Sequence, residues 1–144
     1  MTSLLFQETF NDILGPLEAK LVVSAQLKES TLILEAPRGD AMVVEERYIP
    51  AALKALLEAA LFHAHLPLGT NKTAKTGDSP FSAIASKEGG DVVPLSLNRG
   101  DIRGARVAMS VQGAFWFAQV LTAALTRLNA NRERAEGTSL RLAA

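Results

Sequence analysis

The chain lacks several residue types on which active sites and metal centres commonly depend. It contains no cysteine among its 144 residues, which excludes disulfide bonds and thiolate metal sites and is typical of a reducing compartment. The only two histidines are His63 and His65, and their spacing places them on different sides of a helix. No carboxylate cluster accompanies them, so we expect no metal site and no other cofactor.

An excess of charge of one sign is also missing. Fifteen basic residues balance fifteen acidic ones, and aromatic residues make up only 6% of the chain. Neither a polyanion-attracting field nor a base-stacking platform is therefore expected. The most apolar run, 114–125, is shorter than the roughly 20 residues that span a bilayer, and the first residues lack the pattern of a signal peptide. We expect a cytoplasmic protein with no nucleic-acid partner and no membrane insertion.

The segment from Pro50 to Leu66 predicts one helix with two apolar faces. The first face has the spacing of a core stripe and comprises Leu53, Leu56, Leu57, Ala60, Leu61 and Ala64. The second is a row of mostly small residues, Ala52, Ala55, Ala59, Phe62 and Leu66. A helix with two apolar faces needs two partners. We assign the core stripe to the chain itself and the second row to the interface of a homodimer.

The remaining patterns predict an α+β fold. Helical spacing up to Gly15 predicts a first helix, and alternation then predicts three strands within 21–47. After the central helix, 67–80 reads as a long loop, 81–97 as a strand pair and 102–128 as a long helix. The expected order is therefore helix, three-stranded antiparallel meander, helix, strand pair and long C-terminal helix. We expect one domain over 1–130 and a flexible tail over 131–144.

Catalytic chemistry has no support in the sequence, so we expect a protein that is not an enzyme. The glycine-containing stretch 69–77 lacks the order of a phosphate-binding loop, and the acids have no obvious partners. Apolar surface remains. If Leu21 and Leu32 face the core, Val22 and Ile33 project from the other side of the sheet, joined by Val43. That patch is either a binding surface or is covered by another part of the chain.

Three local segments carry a resemblance to a known family. They are Leu56-Leu57-Glu58-Ala59-Ala60-Leu61-Phe62 in the central helix, Val93-Pro94-Leu95-Ser96-Leu97 in the strand pair, and Asp101 at the expected start of the last helix. With the order of elements, they make residues 3–129 resemble the class I chaperones of type III secretion, the Tir chaperone (CesT) family.

The resemblance implies a cytosolic homodimer that binds the N-terminal segment of a secreted effector and keeps it extended, without catalysis. It implies a dimer interface on the central helix, which is where the sequence has its second apolar face. It also implies effector contacts on the first helix and the sheet, which we place at Leu5, Phe6, Val22, Ile33 and Val43.

Two alternatives stay open. The architecture is also similar to that of YbjN-like proteins, which would imply a regulatory or binding module outside secretion. A small ligand-binding α+β protein, with its pocket between the sheet and the long helix, is the other alternative.

Overall fold

The computed structural model describes residues 2–24, 29–36, 40–88 and 94–143, and in these the chain has four strands and a helix, twice over. The elements are β1 (Thr2–Asp12), β2 (Gly15–Ser24), β3 (Ser30–Glu35), β4 (Ala41–Glu45), α1 (Ile49–His65), β5 (Asn71–Lys75), β6 (Phe81–Ser86), β7 (Leu95–Arg99), β8 (Arg106–Met109) and α2 (Val111–Ala143). A short 3-10 helix, Glu46–Tyr48, leads into α1. The predicted α+β class is confirmed, but the predicted order of elements is not.

The first element is a strand, and the prediction of a first helix is wrong. β1 pairs antiparallel with β2, so that Phe6 lies opposite Leu21 and Phe10 opposite Leu17. Residues four apart share a face on a strand as well as on a helix, because four is a multiple of the strand period. Gly15, at φ 126°, closes the hairpin in a conformation that favours glycine. Leu5 and Phe6 are consequently strand residues.

The first sheet, β1-β2-β3-β4, is an antiparallel meander with one face in the core. Its buried side includes Leu21, Leu32, Leu34, Met42 and Val44. The sequence predicted this alternation for β2 and β3 but not for β4. The register places Ile33 opposite Val43 on the other face. The predicted strand end at 25–27 and most of the predicted turn at 37–40 lie outside the described residues.

The second sheet, β5-β6-β7-β8, has two strands more than the predicted pair. β5 lies inside the predicted loop, and only Ala74 of its residues is buried. β8 lies where the long helix was predicted to begin, and α2 starts after it and continues through Ala143, where a tail was predicted. The predicted turn at 89–90 and the residues 91–93 lie outside the described part.

Each helix packs on the sheet formed by the other half of the chain. α1 lies against β5, β6 and β7, whereas α2 contacts β1, β2 and β3, and the two helices also pack against each other. The buried apolar residues of both halves form one core cluster. Because a sheet must cover its apolar face, each half depends on the other for its core.

The apolar faces of α1 are used differently from the prediction. Ala52, Ala55 and Ala59 are fully buried within the chain, so their assignment to a dimer interface is wrong. Their small side chains face the chain's own core, as do Leu56 and the helix start, Ile49. Small residues let a helix approach its neighbours closely, which explains why this row lies inside.

Asp12 ties the β1–β2 turn to the start of α2. Its Oδ2 accepts a hydrogen bond from the Ser110 N–H at 2.9 Å, and its other oxygen accepts one from the Ser110 hydroxyl. The Ser110 Oγ in turn accepts the Gly113 N–H at 3.0 Å, which caps the helix. A Cβ at position 113 would lie 3.1 Å from Asp12 Oδ1, so glycine leaves room for the carboxylate.

Arg99 is a buried cation that joins the two sheets. Its Nη1 donates to the Val43 carbonyl at 2.7 Å and to Glu45 Oε2 at 2.8 Å, and its Nε donates to Asp101 Oδ1 at 2.7 Å. The hydrogen bond to Asp101, followed by that to Glu45, raises the pKa of Arg99. The same hydrogen bond from Arg99 lowers the pKa of Asp101.

Replacing Ala59 with Glu should unfold the chain and not merely alter its association. A carboxylate at this fully buried position has no partner, so the Ala59→Glu variant should lose about 3 kcal/mol or more of unfolding free energy. Leu61→Glu, on the exposed side of the same helix, should change it by about 0.5 kcal/mol or less. Urea unfolding followed by circular dichroism measures both. Equal stability of the two variants would contradict the burial of this row.

Removing the Arg99 guanidinium should lower the free energy of unfolding far more than removing the guanidinium of an exposed arginine. Arg99→Met leaves Glu45 without its cation and should lower the unfolding free energy by about 3 kcal/mol, whereas Arg106→Met should change it by no more than about 0.5 kcal/mol. Equal losses for the two variants would refute this prediction.

The ion pair between Arg99 and Asp101 should also make the stability depend on pH. Because Arg99 lowers the pKa of Asp101, the pair stabilises the fold at pH values above the ordinary pKa of an aspartate. This stabilisation should be lost as the pH falls through the lowered pKa of Asp101. Thermal unfolding at several pH values measures it.

Candidate binding surfaces

The described residues contain no group of three or more His, Cys, Asp or Glu side chains placed to hold a metal ion. In the same part of the chain, neither helix combines the length and the apolar character needed to cross a membrane. The features that remain are surfaces, and two of them are apolar.

The first is an apolar trough of about 840 Å³ over the outward face of α2. We call it the α2 trough. It is lined by Phe6 from β1, Leu53 and Leu57 from α1, and Phe115, Ala118, Gln119, Thr122, Ala123, Thr126, Arg127 and Ala130 from α2. Most of the α2 side chains in the lining are small, and they form the floor of the α2 trough between larger side chains.

The walls of the α2 trough follow from the neighbours of α2. On one side, Trp116 stacks on Phe10 of β1, with ring centroids 5.5 Å apart and planes 16° from parallel. On the other, Leu125 and Pro50, which is at the start of α1, line the same depression. Residues nine apart in a helix point in opposite directions, because each advances by about 100°. α2 therefore lies between α1 and β1, and its outward face is left open.

Large apolar side chains are exposed along this surface. Leu57 keeps 39% of its accessible surface and Phe115 keeps 47%. Single exposed apolar residues are ordinary, but two that line the same apolar depression are typical of a binding surface. From Phe115 to Ala130 the α2 trough follows about four helical turns, or roughly 22 Å.

The charges in and around the α2 trough are of both signs. Arg127 is the only charged residue among the described lining residues, and among the described residues it takes part in no ion pair. Glu8 is exposed on the same face of β1 as Phe6, and Glu133 is exposed one helical turn after Ala130. A ligand for the α2 trough would therefore meet apolar walls and charged groups of both signs.

The second apolar surface is the outer face of the first sheet. Val22, Ile33 and Val43 share it, as predicted, with Val22 and Ile33 half-buried and Val43 exposed. Leu4, opposite Val22 on β1, extends the patch. Sequence reasoning missed Leu4 because its segment was assigned to a helix. The predicted first helix does not exist and so does not cover this face.

Charged groups border the outer face of the first sheet. The Lys20 ammonium lies 3.0 Å from Glu18 Oε1, and this hydrogen bond raises the pKa of Lys20. Glu35 lies opposite Glu18 on the next strand and contributes to the same shift. Charges of both signs therefore border this apolar face, and they give it no strong electrostatic field.

The five predicted effector contacts do not form one site. Phe6 is on the inner side of β1 and lines the α2 trough, whereas Val22, Ile33 and Val43 lie on the outer face. Leu5 sits at an irregularity in the β1–β2 pairing and is half-buried against the core. The structure thus divides the predicted set between two surfaces.

The last two residues of the predicted dimer row, Phe62 and Leu66, stay partly accessible. With Leu61 and His65 they line a small depression of about 220 Å³, where the Lys72 ammonium lies 4.1 Å from the centre of the Phe62 ring. Burial, and then the charge of Lys87, lower the pKa of the neighbouring His63.

A polar depression of about 630 Å³ lies beside the start of α1. Its charged lining residues neutralise one another, because Arg47 pairs with Glu29 and Arg132 pairs with Glu46. Its described charged residues are therefore all paired with one another.

The exposed walls of the α2 trough were not foreseen. Leu57 belongs to the stripe that was assigned to the core, and Phe115 was placed on the long helix without a face. The sequence signal that was present is the run of small and hydroxyl residues between Ala118 and Ala130, which marks the outward side of α2.

No family model matches the chain, and a comparison with curated proteins found no match.

Proposed function

We propose that the protein is a chaperone that binds a segment of another protein in the α2 trough. The observation that carries this proposal is the exposure of Leu57 and Phe115 beside a floor of alanine and threonine side chains. An apolar depression with few polar groups is the usual form of a binding site.

The lining supports binding and not catalysis. Its polar groups are Gln119, Thr122, Thr126 and the Arg127 guanidinium. A threonine hydroxyl is a weak nucleophile until a base activates it, and the described lining residues include no carboxylate or imidazole. The chemistry available there is contact, through apolar burial and a few hydrogen bonds.

The affinity expected from such contacts is suited to reversible binding. Each Leu- or Phe-sized side chain that a partner buries gains about 1.5–3 kcal/mol. The ordering of a flexible segment offsets a large part of that gain. A chaperone must release its client, so a net affinity set by a few apolar side chains is appropriate.

Within this proposal, the client is the N-terminal segment of a secreted effector, as the resemblance to type III secretion chaperones implies. The order of elements differs from the expected one, so the proposal rests on the α2 trough and not on that order. The outer face with Val22, Ile33 and Val43 would be a second contact region. A homodimer, also expected of such a chaperone, would use Leu61, Phe62 and Leu66, which stay accessible.

Co-expression with the products of the neighbouring genes tests this function. The affinity-tagged protein should retain one of those products through its N-terminal segment. Leu57→Ala and Phe115→Ala should each raise the dissociation constant roughly tenfold, because each removes about 1–2 kcal/mol of apolar contact. Isothermal titration with the retained segment measures the effect.

Leu68→Ala is the matched control, since Leu68 is 89% exposed and lies outside the α2 trough. All three variants truncate side chains that are at least 39% exposed, so each should remain folded. The function is refuted if no neighbouring product is retained. The site is refuted if Leu68→Ala weakens binding as much as Leu57→Ala does.

A further inference from the structure

We infer that the α2 trough of one copy of this protein is occupied, when no client is bound, by the β1–β2 turn of a second copy. The turn consists of Ile13 and Leu14, which we call the hairpin tip. The inference rests on the proposed function, because it gives the client a competitor and so adds regulation to that site. The dimer contact that it assigns differs from the one through Leu61, Phe62 and Leu66.

The hairpin tip has a composition that its turn does not favour. β1 ends at Asp12 and β2 begins at Gly15, so the loop between them consists of Ile13 and Leu14 alone. Hairpin loops this short favour Asn, Asp and Gly, and turns in general favour polar residues. Here Ile13 keeps 84% of its accessible surface and Leu14 keeps 47%. Departures from a local preference are expected at functional sites, and two adjacent exposed apolar side chains are suited to a protein partner.

The charges around the α2 trough favour an uncharged occupant. Arg127 lies in the lining, whereas the exposed Glu8 and Glu133 lie near it, so no field of one sign selects a charged ligand. The hairpin tip carries no charge, and the adjacent Asp12 already accepts a hydrogen bond from Ser110. A neutral apolar tip therefore enters the α2 trough without the desolvation of a charge.

The size and lining of the α2 trough also fit the hairpin tip. Its volume of about 840 Å³ lies in the range of cavities that hold a drug-sized molecule, which is larger than the side chains of one isoleucine and one leucine. The small side chains of the floor let the backbone of a turn approach α2 closely. Leu57 and Phe115, at the borders, would contact Ile13 and Leu14 from either side.

The position of the hairpin tip selects a second copy and a closed dimer. Asp12, directly before the tip, lies against Ser110 and Gly113, and the lining of the α2 trough begins at Phe115 on the same helix. The described lining includes neither tip residue, so the tip does not fill the trough of its own chain. A protrusion beside a depression can be exchanged reciprocally around a twofold axis, and such an assembly closes after two copies.

Light scattering at rising protein concentration tests the dimer. The full chain should convert reversibly from monomer to dimer. Ile13→Ser combined with Leu14→Ser, the tip variant, should raise the dissociation constant of the dimer roughly hundredfold, because two contacts of about tenfold each are lost. Serine is favoured in turns, so the tip variant should keep the circular dichroism of the original chain. Leu68→Ser, at an exposed leucine outside the α2 trough, should leave the dissociation constant unchanged.

A mixture of two variants separates this contact from any other. The tip variant keeps an intact α2 trough, and the trough variant, Leu57→Ala with Phe115→Ala, keeps an intact hairpin tip. Each variant alone has lost both contacts of its dimer, whereas the mixed pair retains one tip in one trough. The mixed dimer should therefore form roughly tenfold more tightly than the dimer of either variant. Energy transfer between fluorescently labelled copies measures all three.

The client and the hairpin tip should compete for the α2 trough. Adding the segment of a retained gene product should convert the dimer into monomers that carry the segment. At protein concentrations where the original chain is dimeric, the tip variant should bind the segment more tightly, because nothing has to be displaced. A segment that binds through Leu57 and Phe115 and leaves the dimer intact would show that the tip lies elsewhere.

Several results would overturn the inference. They are a full chain that stays monomeric, a tip variant that dimerises as the original chain does, and a mixed pair that is no tighter than its parents. A dimer that the tip variant keeps and Leu61→Glu abolishes would lie on α1 and would also overturn it. If a neighbouring gene product is retained by a monomeric chain, only the inference fails. If the tip-dependent dimer forms but no product is retained, only the proposed function fails.

Discussion

The packing of each helix on the sheet of the other half is the constraint from which the remaining features follow. α1 covers the second sheet and α2 covers the first, so neither sheet has its inner face buried until both halves are present. This packing fully buries the row of Ala52, Ala55 and Ala59. Since α2 is flanked by α1 and β1, its outward face is the side that no element of the described chain covers. The α2 trough is therefore a consequence of the way each helix packs on the sheet of the other half.

Apolar burial alone would not fix this arrangement, because it is not directional. Two polar contacts supply direction. Asp12 holds Ser110, 98 positions away along the chain, and so sets where α2 begins. Arg99 reaches Val43 on β4, the last strand of the first sheet, and so sets how the two sheets meet. Both contacts are largely shielded from water, where an unpaired partner would be costly, and each excludes arrangements that apolar packing would tolerate.

The sequence predicts those elements whose pattern fits only one structure. The alternation in β2 and β3, and the start of α1 at a proline, are of this kind, and the structure confirms them. β1 was assigned to a helix because Phe6 and Phe10 satisfy both periods. β5 was missed because an edge strand with one buried residue has almost no pattern. On α1 the alanine row was assigned to the outside and Leu57 and Leu61 to the core, because both faces are apolar and only tertiary packing decides which residues are covered.

The composition of the α2 trough meets two demands that the proposed role in binding and releasing a client would place on it. Exposed leucine and phenylalanine side chains favour association, with the intended partner and with unintended ones. The floor between them carries Gln119, Thr122 and Thr126, whose polar groups remain solvated when the α2 trough is empty. Thr122 and Thr126 donate to the carbonyls four residues before them, so a partner that covers these hydroxyls does not leave their donors unpaired. The floor can thus be covered at low cost and uncovered without exposing a continuous apolar face, which is what the proposed role would require.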